Sequence, residues 1–275
     1  MISGTNSAKG AKCAKETGEP VSLTSKTPMA TPASSDVWAV FNREAASWQG
    51  NYGPKGKFNK RLERFAARLS ELSPPPGRIL DFGCGTGEIA AAMDHMGYQV
   101  TGCDIAERMI EIARSSHGGT ATKWICLKPD WEALPFGDCS FDGVVASSVF
   151  EYLVDVQRVA AEVSRVLRPG GVLLLTVPNP FNLVRKLEAW LWSAVSSRLL
   201  APLVHRVQRI DSYATYLRLS RNRFRGDWWE SVLSRAHFAA FDERDFSEDA
   251  WLRQARQPLI LLAMKRAATD EYQPT

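Results

Sequence analysis

Between Arg78 and Val177, short apolar runs alternate with segments whose apolar residues recur every three or four positions. Arg78–Phe82 reads as a strand and Glu88–Met96 as a helix. Gln99–Cys103 reads as a strand, Glu107–Arg114 as a helix, and Lys123–Leu127 and Phe141–Ala146 as strands. Asp155–Leu167 follows as a helix and Val172–Val177 as a strand. Apolar strands joined by amphipathic helices predict a parallel sheet covered on both faces. Upstream, Phe58–Leu72 spaces Leu62, Phe65, Leu69 and Leu72 by three and four, the mark of an amphipathic helix, which Pro74–Pro76 ends. Asp36 is a helix N-cap before Val37, Trp38, Val40 and Phe41. The rhythm of strands stops near Pro178. Residues 179–225 read as helical without a strand, and Trp190, Trp192, Tyr213, Tyr216 and many arginines lie among them. Asp227–Ala236 then reads as a helix, with strands at Phe238–Asp245 and Leu259–Met264.

The predicted fold class is α/β: a Rossmann-like, seven-stranded, mostly parallel sheet with helices on both faces and a helical cap inserted after the fifth strand. The organisation follows: a disordered tail over 1–35, rich in Ser, Thr, Lys, Gly, Ala and Pro; N-terminal helices over 36–76; the α/β core over 77–178; the cap over 179–226; completion of the core over 227–266; and a tail over 267–275.

Composition narrows the class. A chain of 275 residues with 45% hydrophobic and 23% charged residues is long enough for a sizeable core. A net charge of +4 is too mild to mark a nucleic-acid binder, and no nucleic-acid partner is expected. Five cysteines, at 13, 84, 103, 126 and 139, form no CxxC pair. They predict neither a zinc site nor a disulfide framework, and no metal is expected; reduced thiols point to the cytoplasm. No apolar run reaches the length of a membrane span, and residues 1–18 lack a signal-peptide apolar core.

The candidate chemistry begins at Asp81-Phe-Gly83-Cys-Gly85-Thr-Gly87, between the first strand and its helix. Glycines there permit a tight turn and let a ligand press against the backbone. Asp104 ends the second strand, where such a fold holds ribose hydroxyls with a carboxylate. A dinucleotide fingerprint would carry a further glycine where this chain has Glu88, and an acid sits poorly beside a pyrophosphate. A ligand with an amino-acid end and no phosphate fits better.

With these residues the chain resembles the class I S-adenosylmethionine-dependent methyltransferases, in the small-molecule group that includes the ubiquinone/menaquinone C-methyltransferases (a methyltransferase type 11-like domain). The matching stretches are Ile79–Gly87, Val100–Ile105, Leu134–Phe136 with Ser140–Asp142, and Val166–Gly171, within roughly 77–178. The resemblance implies S-adenosyl-L-methionine as cofactor. It implies that Asp81, Gly83, Gly85 and Gly87 line the methionine end and that Asp104 binds the ribose, with Ile105 beside the adenine. Asp130 and Trp131 would contact the adenine edge, and Ser147 would face the methionine part. Phe141, Asp142 and the turn Arg168–Gly171 read as structural, Cys84 as a small residue packed in the loop, and Cys103 and Cys126 as core.

Displacement of a methyl group from a sulfonium needs alignment more than a fixed triad. Two candidates for a base stand out. Glu151 follows the fourth strand, where many relatives carry Glu-His and this chain has Glu151-Tyr152; it could act as base or orient a loop. His205, in the cap, could face the pocket or solvent; His95 and His117 read as surface and His237 as structural. Tyr152, Tyr213 and Tyr216 could line an acceptor pocket or pack as core. Residues 182–235 hold ten Arg or Lys against four Asp or Glu. Those arginines could hold an anionic small acceptor, lay the cap on an acidic membrane surface beside a lipid-linked acceptor, or simply be solvated. Rival readings are an NAD(P)-dependent oxidoreductase and a non-catalytic methyltransferase-like binding module. Oligomeric state is left open. Deleting residues 1–35 is expected to leave the melting temperature unchanged; a clear fall would mean that the tail packs.

Overall fold

The computed structural model describes residues 33–52, 56, 58–195 and 216–267. Residues 1–32 of the expected tail over 1–35, the centre of the cap and His205 lie outside the described residues, while Ser34 and Ser35 belong to α1. In chain order the elements are α1 (Ser34–Trp48), a 3-10 turn at Gln49–Tyr52, α2 (Asn59–Leu72), β1 (Arg78–Phe82), α3 (Glu88–His95) and β2 (Gln99–Asp104). They continue with α4 (Glu107–Ser116), β3 (Lys123–Cys126), β4 (Phe141–Ala146), a 3-10 turn at Phe150–Tyr152, α5 (Val156–Val166) and β5 (Leu167–Pro178). After these come α6 (Leu183–Val195), α7 (Gly226–Arg235), β6 (Phe238–Ala240), a 3-10 turn at Glu243–Phe246, α8 (Glu248–Arg253) and β7 (Leu259–Arg266).

The strands form one seven-stranded sheet in the order β3-β2-β1-β4-β5-β7-β6. β1 to β5 are parallel, and β7 runs antiparallel between β5 and β6. The apolar runs alternate sides with the pleat. Leu80, Val144, Ala146, Leu173 and Leu175 pack with α5 and α7, where Val159, Val163, Trp229 and Leu233 close one face. Ile79, Val145, Val172 and Leu174 pack on the other against Phe65 and Leu69 of α2 and Ile89 and Met93 of α3. Burial on both faces explains why these strands read as unbroken apolar runs.

Four local expectations are corrected. α1 begins before Asp36, which is not the cap: from the first turn its Oδ2 accepts the Ala33 N–H at 2.9 Å. A deletion that spares this helix therefore ends at residue 32. Arg168–Gly171 is not a simple turn but the start of β5: Leu167 pairs with Phe141, and the register shifts before Gly143 meets Val172. β6 stops at Ala240, because the Asp242 side chain accepts from Arg244 N–H and turns the chain. Ser247 then caps the short α8, which the apolar periodicity did not reveal. Cys126 is exposed on edge strand β3 rather than buried like Cys84 and Cys103. His237, read as standing where a helix-ending glycine is usual, has φ 63° and follows α7.

Gly226 starts α7 against the 3-10 turn that precedes α8. A Cβ on it would overlap the Phe246 carbonyl oxygen, and backbone cannot swing aside as a side chain can. Gly226→Ala should therefore destabilise the fold by about 1–3 kcal/mol, read as a lower urea midpoint with unchanged m-value.

Candidate active site

β1 delivers Asp81 and Phe82 to the carboxyl edge of the sheet, beside β4, where the strand order reverses direction. Open α/β sheets hold ligands at such a switch point. The chain then turns through Gly83, Gly85 and Gly87, with φ of 72°, 54° and 91°. Side chains rarely adopt this left-handed region, which is why the loop carries glycines. A Cβ on Gly83 would also overlap the Val149 side chain.

The loop spends four of its five N–H groups internally. Gly83 and Cys84 donate to the Cys103 carbonyl at 2.8 and 3.0 Å, and Gly87 donates to the Cys84 carbonyl at 3.0 Å. Gly85 N–H donates to Asp104 Oδ2 at 2.9 Å, while Asp104 Oδ1 accepts from Ala106 N–H at 2.9 Å. A phosphate cradle needs these N–H groups free; here they are satisfied by a carboxylate and carbonyls.

A cavity of about 640 Å³ opens over this loop, within the usual range for small-molecule sites. Asp81, Gly83, Gly85, Asp104, Ile105, Asp130, Trp131 and Ser147, all singled out in the sequence, line it. Gly87 is not in the lining; it lies behind, under the Trp124 ring. Glu151 is not in the lining either. Its carboxylate is 1% exposed, accepts the Ser220 hydroxyl at 2.6 Å and lies 3.6 Å from Arg185 Nη2. Its carbonyl accepts Arg221 and Asn222 N–H, while Asn222 Nδ2 holds the Phe150 and Leu153 carbonyls at 2.8 Å. This arrangement is the loop-orienting alternative for Glu151. The described cap arginines also pair within the protein: Arg185 and Arg223 with Glu188, Arg218 with Asp36, and Arg225 with Glu248.

Apart from Tyr152, the sequence had not pointed to the opposite wall. Val37, Phe41 and Trp48 of α1 and Tyr52 after it face the cavity, with Tyr152 beyond. Their rings meet edge to face: Phe41–Trp48 at 5.5 Å and Phe41–Tyr152 at 5.2 Å. The aromatic spacing in 38–52 was the available signal, but nothing local says which surface α1 covers. Trp38 Nε1 and Asn42 Nδ2 donate to Glu107 at 2.6 and 3.0 Å and anchor α1 on the start of α4. Arg61 also lines the cavity. Its Nη1 donates to Ser148 Oγ at 3.1 Å, and its guanidinium lies 4.1 Å from the centre of the Phe58 ring. Ser148 has φ 58°, held by its N–H donating to Thr176 Oγ1 at 2.8 Å. Backbone held in that region concentrates at working sites.

Two buried polar atoms at this end have no partner: Asp81 Oδ2 and Ser147 Oγ. Buried polar atoms are nearly always paired, so these two mark where a ligand's donors belong. Burial, together with the nearby carboxylate of Asp104, pushes the Asp81 carboxyl up to about 8. Burial also raises Asp104, against the pull of the Ala106 and Gly85 N–H groups. A cationic ligand group here would relieve both. Among the described residues no cluster of His, Cys, Asp and Glu could hold a metal ion.

Comparison with known proteins defines the class. Residues 80–175 match the family described as "Methyltransferase domain". A ubiquinone/menaquinone biosynthesis C-methyltransferase of Desulfotalea psychrophila is 40% identical over 132 residues, 46% of this chain and 52% of that one. A malonyl-[acyl-carrier protein] O-methyltransferase of Erwinia pyrifoliae is 31% identical over 155 residues, 56% of this chain and 55% of that one. The chain spans about half the length of these relatives. Magnesium protoporphyrin IX methyltransferase from Synechocystis PCC 6803, solved with SAH bound, superposes with a TM-score of 0.62 at 15% identity, covering 85% of this chain and 99% of that one. The fold is that of the class I methyltransferases. Within it, residues 80–175 match a methyltransferase domain and are similar to that of a ubiquinone/menaquinone biosynthesis C-methyltransferase.

The raised Asp81 carboxyl sets a pH dependence. Between its ordinary 3.8 and about 8, the unfolded chain has Asp81 ionised while the fold keeps it protonated. The folded state then binds the extra proton, so its stability falls as pH rises through that window. Urea titrations across it should show this fall, and Asp81→Asn should flatten it. An equal slope in the variant would place the proton elsewhere.

Proposed function

We propose that this protein is an S-adenosyl-L-methionine-dependent methyltransferase that transfers a methyl group to oxygen or carbon of a small acceptor. The observation that carries the reading is the donor set of the glycine loop. The N–H groups of Gly83, Cys84, Gly85 and Gly87 are bonded within the protein, and the unpartnered buried atoms of the cavity lining belong to a carboxylate, Asp81, and a hydroxyl, Ser147. That set suits an ammonium and a sulfonium and not a pyrophosphate, which speaks against the NAD(P)-dependent oxidoreductase. Arg61, in the lining of the same cavity, supplies the complementary cation for a carboxylate, so Asp81 and Arg61 together match a zwitterionic amino-acid end.

The cofactor would bring an activated methyl group, so the protein's own work is placement. Asp104 would accept the ribose hydroxyls on the oxygen lone pairs that Gly85 and Ala106 leave free. Ile105, Asp130 and Trp131 would enclose the base, with Arg158 held 4.6 Å from the centre of the Trp131 ring. Phe41, Trp48, Tyr52 and Tyr152 would keep water from the reacting carbon and offer ring faces to the acceptor. Residues 179–226 would cap the acceptor, which is anionic or lipid-linked in this reading. The names of the two relatives, one acting in ubiquinone/menaquinone biosynthesis and one on a malonyl-acyl carrier, support that range. His205 is the remaining candidate for a base, and Glu151 acts by holding the Tyr152 turn.

Two measurements test the reading. S-adenosylmethionine and S-adenosylhomocysteine should raise the melting temperature of the purified protein, and NAD(P)H should not. Stabilisation by NAD(P)H alone would overturn the proposal, while cofactor binding without turnover on any acceptor would favour the binding module. In calorimetry, Asp104→Ala should weaken S-adenosylhomocysteine by roughly 2–3 kcal/mol, because a charged acceptor is lost. Unchanged affinity would remove Asp104 from the site.

A further inference from the structure

α6 is inside out. Its charged residues Arg185 and Glu188 are only 8% and 5% exposed, whereas Leu183, Val184, Leu187 and Trp190 are 69%, 54%, 52% and 67% exposed. At 3.6 residues per turn these four apolar side chains share one face, with Arg185 on the opposite side and Glu188 on the flank next to Val184. A helix on a globular protein in water has the reverse arrangement. The helix cannot roll to hide its apolar face. Arg185 Nη1 is 3.0 Å from Glu188, Arg223 Nη1 reaches the same carboxylate at 2.9 Å, and Arg185 Nε donates to the Pro258 carbonyl at 3.2 Å. Asn182 locks the entry: its Oδ1 accepts Val184 N–H at 3.0 Å and its Nδ2 donates to the Ala255 carbonyl at 2.7 Å. Rolling α6 would separate Arg185 and Glu188 from these partners and leave the buried carboxylate of Glu151 without its nearby charge. The network thus holds the apolar face outward.

We infer that this face docks on an anionic lipid surface, with α6 lying in the plane of the interface. Trp190 has the ring type that favours the boundary between headgroups and acyl chains. Lys186, on the flank of the same helix, is exposed. By sequence the stretch 182–235 that contains α6 holds ten Arg or Lys against four Asp or Glu; Arg185, Arg218, Arg223 and Arg225 pair within the protein, and the rest of the surplus, with the exposed Lys186, is what acidic headgroups would attract. A second copy of this chain would bring like charge against like. No described helix is long and apolar enough to cross a membrane, so the contact is peripheral. The inference does not depend on methyl transfer, since vesicle binding requires no turnover.

The test is co-sedimentation of the full chain with vesicles of phosphatidylcholine alone and of phosphatidylcholine mixed with phosphatidylglycerol. The protein should follow the mixed vesicles, leave the neutral ones and be released by salt. Replacing both Leu187→Ser and Trp190→Ser should lower vesicle affinity by about tenfold or more, because the buried apolar area is lost. The melting temperature and the S-adenosylhomocysteine thermal shift should stay as they are in the parent protein. Binding to neither vesicle, or equal binding by the variant, would overturn the inference. So would light scattering that finds a dimer which the two substitutions turn into a monomer, for then the face belongs to a second copy.

Discussion

The end of β2 is the fixed point of this molecule. The Cys103 carbonyl accepts two loop N–H groups, and the next residue, Asp104, joins the loop to the start of α4 with its two carboxylate oxygens. These contacts force the path from β1 into α3, and that path requires the left-handed glycines. They also consume the Gly83, Cys84 and Gly85 N–H groups, which could otherwise attract an anion. One strand end therefore shapes the loop, sets the sign of the charge beneath it and leaves Asp81 buried with an unmet valence.

A second constraint acts at the other side of the cavity. The Phe150–Tyr152 turn is clamped by Asn222 and by the bonds from Glu151 to residues 220–222. The same Glu151 approaches Arg185, which with Arg223 encloses Glu188. Both arms of the cap thus meet under the wall that carries Tyr152. Buried ion pairs of this kind contribute little net stability over apolar packing, but removing one partner is severe. What they give here is orientation: Tyr152 toward the cavity and the apolar face of α6 away from the protein.

The sheet and its glycine-loop edge were legible along the chain because both are written in short range. Strands buried on two faces leave unbroken apolar runs, and a strand-to-helix turn with left-handed residues leaves spaced glycines. A carboxylate at the end of the next strand falls at a fixed distance behind them. The expected boundaries of β1 and β4 coincide with the observed ones for this reason. Errors came where side chains redirect the backbone, as at Asp242 and Ser247 around the missed α8, or where a bulge carries a strand through Arg168–Gly171.

The sequence by itself determined the α/β class, the glycine loop and the acid that supports it, because neighbours in the chain make those features. Only the tertiary structure decided that Phe41, Trp48 and Tyr52 close the cavity and that Arg61 joins them. It alone decided that Glu151 serves the cap and not the cavity, and that α6 turns its charges inward. Each of those outcomes depends on contacts between residues far apart in sequence, such as Trp38 with Glu107 or Glu151 with Ser220, and no local periodicity encodes them.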